Sequence, residues 1–110
     1  MSISETETVD FATIDKATGD VWLVITDHLP WDEDEGGHLL LLQDKLNAYL
    51  RFIESGEMLQ QFPQLGGRRI CIVLAGKFPL SDRAQRFIEM AGAAIKSAGF
   101  ALQFRLAHAN

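Results

Sequence analysis

The feature that most constrains the fold is a run of six apolar residues, Ile70 to Ala75 (ICIVLA), matched upstream by a second unalternating stretch, Val21 to Ile25 (VWLVI). A sheet with one wet face shows polar residues at every second strand position, whereas strands that skip this alternation belong to the middle of a sheet covered on both sides. The two runs are therefore read as central strands, Val21 to Thr26 and Arg69 to Ala75, with Trp22 marking the less enclosed face of the first. Between them, Leu39, Leu42, Leu46, Leu50 and Ile53 recur at helical spacing, and Gly56 follows as a C′ residue, so a long helix ends near Ser55.

The remaining elements are placed by the same signals. Val9 to Ile14 reads as a strand with Val9 and Phe11 on one face, joined by Asp15 to Gly19 (DKATG) to the strand at Val21 as an antiparallel hairpin. Asp27 to Gly37 is a linker marked by Pro30 and paired glycines, and Glu57 to Gly67 is a loop with one helical turn at Met58 to Phe62. Ser81 is an N-cap for a second helix carrying Ala84, Phe87, Ile88, Ala91, Ile95 and Ala98 on one face, and Gly99 ends it. Phe100, Leu102, Phe104 and Leu106 alternate with less apolar residues as a half-buried strand does. The order β-β-α-β-α-β implies an α+β, two-layer sandwich. Right-handed crossovers place both helices on one face of a single four-stranded mixed sheet whose strand order is left open. Residues 1–110 form one domain, with residues 1–8 expected to be disordered.

Charge is unevenly spread. Residues 1–35 hold ten acids and one base, Lys16, whereas residues 36–110 hold five acids and nine bases, within a net charge of −5. The dispersed bases, of which only Arg68 and Arg69 are adjacent, argue against nucleic acid as a partner and leave a basic protein surface as the complementary one. The polar, acidic start lacks a signal peptide's basic and apolar regions, and no apolar stretch approaches the roughly 20 residues that cross a bilayer, so a cytoplasmic protein is expected. The single cysteine, Cys71, lies in the apolar run and reads as a small packed hydrophobe.

The densest set of chemical groups is Asp27, His28, Trp31, Asp32, Glu33, Asp34, Glu35 and His38, where the second strand gives way to the first helix. In parallel α/β units that carboxyl end is where ligand sites gather. The spacing matches no metal signature, so no metal and no cofactor is expected. Acids at a helix start also serve as caps, and Asp32 with Glu35 has capping-box spacing. Trp31 is read as a lid over the core, ahead of an anchor for a binding partner. Ser81 is accounted for as a cap and Cys71 as core, and no nucleophile stands beside a base, so no catalytic residue is assigned and enzyme activity is not expected.

The segments TDHLPW (Thr26 to Trp31), HLLLLQDKLNAYLRFIESGE (His38 to Glu57), KFPLS (Lys77 to Ser81) and AGFALQFRL (Ala98 to Leu106) resemble a family of small bacterial proteins known only as a domain of unknown function. The resemblance spans nearly the whole chain and implies a stand-alone bacterial domain without an assigned activity. Two functions fit these residues. The first is an acidic protein-interaction module that binds a basic partner through the strand-to-helix turn, as a homodimer whose interface covers the sheet face or the flank of the first helix with Leu40 and Leu41. The alternative is a small-molecule binder or weak hydrolase using Asp27, His28, Trp31 and the neighbouring carboxylates. Convergence of His28 and a carboxylate in a concave pocket favours the alternative, and a set splayed on a convex surface favours the module.

Overall fold

The computed structural model describes residues 11–107. Four strands and three α-helices follow one another as β1 (Phe11–Ile14), β2 (Val21–Asp27), α1 (Glu35–Glu54), α2 (Glu57–Gln61), β3 (Ile70–Gly76), α3 (Asp82–Ser97) and β4 (Ala101–Leu106), with a 3₁₀ turn at Pro63–Leu65. The fold is α+β, and its sheet is mixed, in the spatial order β1-β2-β3-β4. β1 runs antiparallel to β2, and β2, β3 and β4 are parallel, so α1 and α3 each lie in a crossover between adjacent parallel strands. Expectations for Val9 and for residues 1–8 lie outside the described residues.

The β1–β2 turn closes where the sequence placed it, with Gly19 at φ +78° and its N–H donating to the Asp15 carbonyl at 2.7 Å. The helical turn expected at Met58 to Phe62 is α2, one residue earlier at Glu57–Gln61, with Gly56 at φ +84° between it and α1. Ser81 caps α3 as expected, accepting the Ala84 N–H at 3.1 Å. Asp34, and not Asp32, caps α1: its Oδ1 accepts the Gly37 N–H at 3.1 Å, so the helix begins at Glu35. A Cβ at Gly37 would meet the Asp34 carboxylate, which would have to turn from its capping position.

Strand alternation divides the sheet into two unequal faces. In register across the strands, Leu23 pairs with Ile72 and Ile25 with Leu74, and Leu102 and Phe104 continue the same rows on β4. These residues, with Val21, form one apolar cluster with Leu42, Leu46, Tyr49 and Phe52 of α1 and Ala84 and Ile95 of α3. The reverse face carries Trp22, Val24, Cys71 and Ala75, all half-buried, with Gln103 and Arg105 exposed. Full coverage of β2 on both faces is therefore not met, although Val73, at the middle of the reverse face, is buried. Arg105 lies over the Trp22 ring at 4.5 Å, shielding that indole with a cation on a long apolar stem.

The buried face of α1 is also rotated from the leucine stripe. His38, Leu42, Lys45, Leu46, Tyr49 and Phe52 point inward, while Leu39, Leu50 and Ile53 are partly buried at its margin. Tyr49, fully enclosed, donates its hydroxyl to the Val24 carbonyl at 2.7 Å, which lets a polar tip enter the core at no hydrogen-bonding loss.

Candidate binding site at the carboxyl edge of the sheet

Asp27 is the last residue of β2 and pairs in register with Gly76, the last of β3. Glycine is required there because a Cβ would meet the Phe104 ring at 2.7 Å. Beyond this edge the chain turns twice, through 28–34 into α1 and through 77–81 into α3, so two helix N-termini and two loops converge over the ends of parallel strands. Arg83 of α3 reaches Glu35 of α1 at 3.7 Å, an exposed pair worth little in stability that nevertheless marks how close the two turns lie.

The centre of the edge is a buried polar stack. His38, in the first turns of α1, contacts Asp27 through Nε2 and Oδ2 at 2.5 Å, and Asp27 Oδ1 accepts the Leu29 N–H at 3.1 Å. Trp31 lies flat on the His38 ring, with centroids 3.5 Å apart and planes inclined by 14°. His38, Asp27 and Trp31 are only 3%, 4% and 6% exposed, so the indole is the lid the sequence suggested, with histidine as the layer beneath it. Nδ1 of His38 is buried without a hydrogen-bond partner.

Around this stack the sequence candidates separate into two groups. Asp27, Trp31 and His38 come together inside. His28, Asp32, Glu33 and Asp34 are exposed and Glu35 is half-exposed, so His28 does not join the polar centre. Two clefts flank the stack. One of about 520 Å³ is lined by Pro30, Trp31, Asp32, Glu35, Phe78, Pro79 and Ser81. The other, of about 410 Å³, is lined by Leu29, Pro30, Glu33, Asp34, Gly37, His38 and Leu41. Phe78, Pro79 and the leucines were not among the sequence candidates. The signal that points to the first two is topological: the loop after β3 also leaves the carboxyl end of a parallel strand.

Arg68, of the one adjacent basic pair, donates to the Gly19 carbonyl at 3.0 Å, at the opposite end of the sheet from the acidic turn. Cys71 lies on the reverse face and not in the core cluster. Burial pushes its thiol pKa up, and Asp20 adds to this, against smaller opposing effects of Arg105 and Arg69. Among the described residues, no three His, Cys, Asp or Glu side chains are grouped to hold a metal ion. No helix among them is long and apolar enough to cross a membrane.

The architecture and this edge define an α+β fold that gathers acidic and aromatic side chains over the ends of its parallel strands. Residues 1–108 match the family of unknown function DUF6572, and the chain belongs to that family. No curated protein and no solved structure matches it.

Proposed function

We propose that this chain is an acidic protein-interaction module of the cytoplasm that binds a basic partner across the carboxyl edge of its sheet. The observation that carries this reading is the exposed turn Asp32, Glu33 and Asp34 set between two clefts walled by proline and aromatic or aliphatic side chains. Exposed carboxylates steer a cationic surface and select its sign, while the apolar walls supply contact area. The exposed His28 and splayed carboxylates favour the module over a hydrolase. Self-association through the flank of α1 is part of the same proposal. Leu40 and Met90, 63% and 75% exposed, line a groove with Leu39 and Phe87 that a second copy would cover.

The test is affinity capture by the immobilised chain, with the double variant Asp32→Asn/Glu33→Gln as control. A basic protein retained by the native chain, released by raised salt and held about tenfold less by the variant is the expected result. A partner held equally by both chains would remove the acidic turn from the interface.

A further inference from the structure

We propose that the cleft beside His38 is a receptor for an aliphatic ammonium group, the tip of a lysine side chain, with Nδ1 of His38 accepting one of its N–H bonds. This rests on the basic-partner reading and names the group recognised. The Asp27 carboxylate is engaged at both oxygens, by the Leu29 N–H and by His38 Nε2. In the proposed site the ring proton sits on Nε2, facing that carboxylate, and Nδ1 offers its lone pair. Buried acceptors are ordinarily paired, and this one is not. Trp31 covers a face of the ring, which leaves the ring plane as the approach to Nδ1.

The surroundings decide the sign and shape of the donor. A helix N-terminus attracts anions with the equivalent of about half a positive charge. At α1 that half charge is outweighed by Glu33, Asp34 and Glu35, two of which line the cleft itself, so a cation is favoured. Asp34 already serves the Gly37 N–H, which leaves Glu33 as the mobile counter-charge. Leu29, Pro30 and Leu41 wall the cleft and suit a hydrocarbon stem. One in-plane acceptor and one carboxylate match the compact, tetrahedral donors of an ammonium better than the planar fork of a guanidinium, which seeks bidentate partners. Nδ1 is closed to bulk solvent, so the ammonium reaches it only when the wall of the cleft opens.

The experiment titrates Nα-acetyl-lysine methylamide, and separately its norleucine analogue, into the ¹⁵N-labelled chain while the His38 ring nitrogens are followed by long-range ¹H–¹⁵N correlation. A saturable displacement of Nδ1 by the lysine probe is expected, with none from norleucine. Glu33→Gln, an exposed substitution that leaves the fold intact, raises the half-saturation concentration about threefold. An unmoved Nδ1 at high probe concentration, an equal response to norleucine, or an Nδ1 that already carries a proton in the unliganded chain would each overturn the site. If the capture experiment succeeds while Nδ1 stays silent, the ammonium site falls and the interaction module stands. A responding Nδ1 without a captured basic partner upholds the ammonium site and removes the protein partner.

Discussion

Ile72 and Cys71 are neighbours in β3, drawn from the same apolar run, yet they meet opposite surroundings. Ile72 is fully enclosed among Leu23, Leu102 and the helices, whereas Cys71 shares the reverse face with Trp22, Gln103 and Arg105 and is half-buried. An unbroken apolar run therefore marks a central strand without telling which of its faces carries the packing. That is settled by which side the helical side chains join. The polar stack of Asp27 and His38 belongs to the packed side, since Asp27 follows Val21, Leu23 and Ile25 at the strand period of two.

The largest effect that sharpens this contrast is Leu74→Ala, which should cost about 2–5 kcal/mol in urea denaturation because it opens a cavity in a filled cluster. Cys71→Ala, on the other face, should cost less than about 1 kcal/mol in the same measurement. Equal losses would break the distinction between the faces. A smaller effect than that of Leu74 is expected at the edge, where Asp27→Ala removes the partner of His38 Nε2 and the acceptor of the Leu29 N–H. A loss of about 1–3 kcal/mol is the expected outcome. A double-mutant cycle with His38→Ala checks it, and additive losses would show that the 2.5 Å contact carries no coupling.

The smallest effect is chemical. With its pKa raised chiefly by burial, Cys71 holds less thiolate than an ordinary cysteine at pH 8, and thiolate is the reacting form. Alkylation in the folded chain should be slower than in the urea-unfolded chain at that pH, and its rate should rise through a midpoint displaced to higher pH. A midpoint at or below the unfolded one would mean that Arg69 and Arg105 outweigh burial.

Much of the fold was readable from residues alone, because its signals are local. Glycines at 19, 56 and 99 mark reversals, Ser81 opens a helix, and Phe104 and Leu106 alternate with polar residues as β4 requires. The face of α1 was not readable from its leucines. Lys45 is fully buried and its Nζ lies 5.7 Å from the Tyr49 ring, so a residue that hydropathy assigns to solvent sits near the middle of the inward arc. Hydropathy scores the lysine by its charged tip, and here the tip itself is enclosed, with the Tyr49 ring beside it. At the edge, the sequence picked out the right segment but could not sort it. Asp27 and His38 are eleven residues apart, and only the turn between them decides that His38 and not His28 folds back over the strand end. The same limit applies to the cap, since Asp32 and Asp34 are equally good caps by type and the path of the chain selects Asp34.

The stacking of Trp31 on His38 also has an optical consequence. The chain has two tryptophans, one on each side of the contrast drawn above: Trp22 beneath Arg105 on the reverse face and Trp31 pressed against an imidazole at the edge. Indole emission follows the surroundings of the ring, so each tryptophan reports on its own part of the molecule. Anything that lifts the Trp31 indole from the imidazole changes those surroundings, so the carboxyl edge signals its own disturbance in light without an added label.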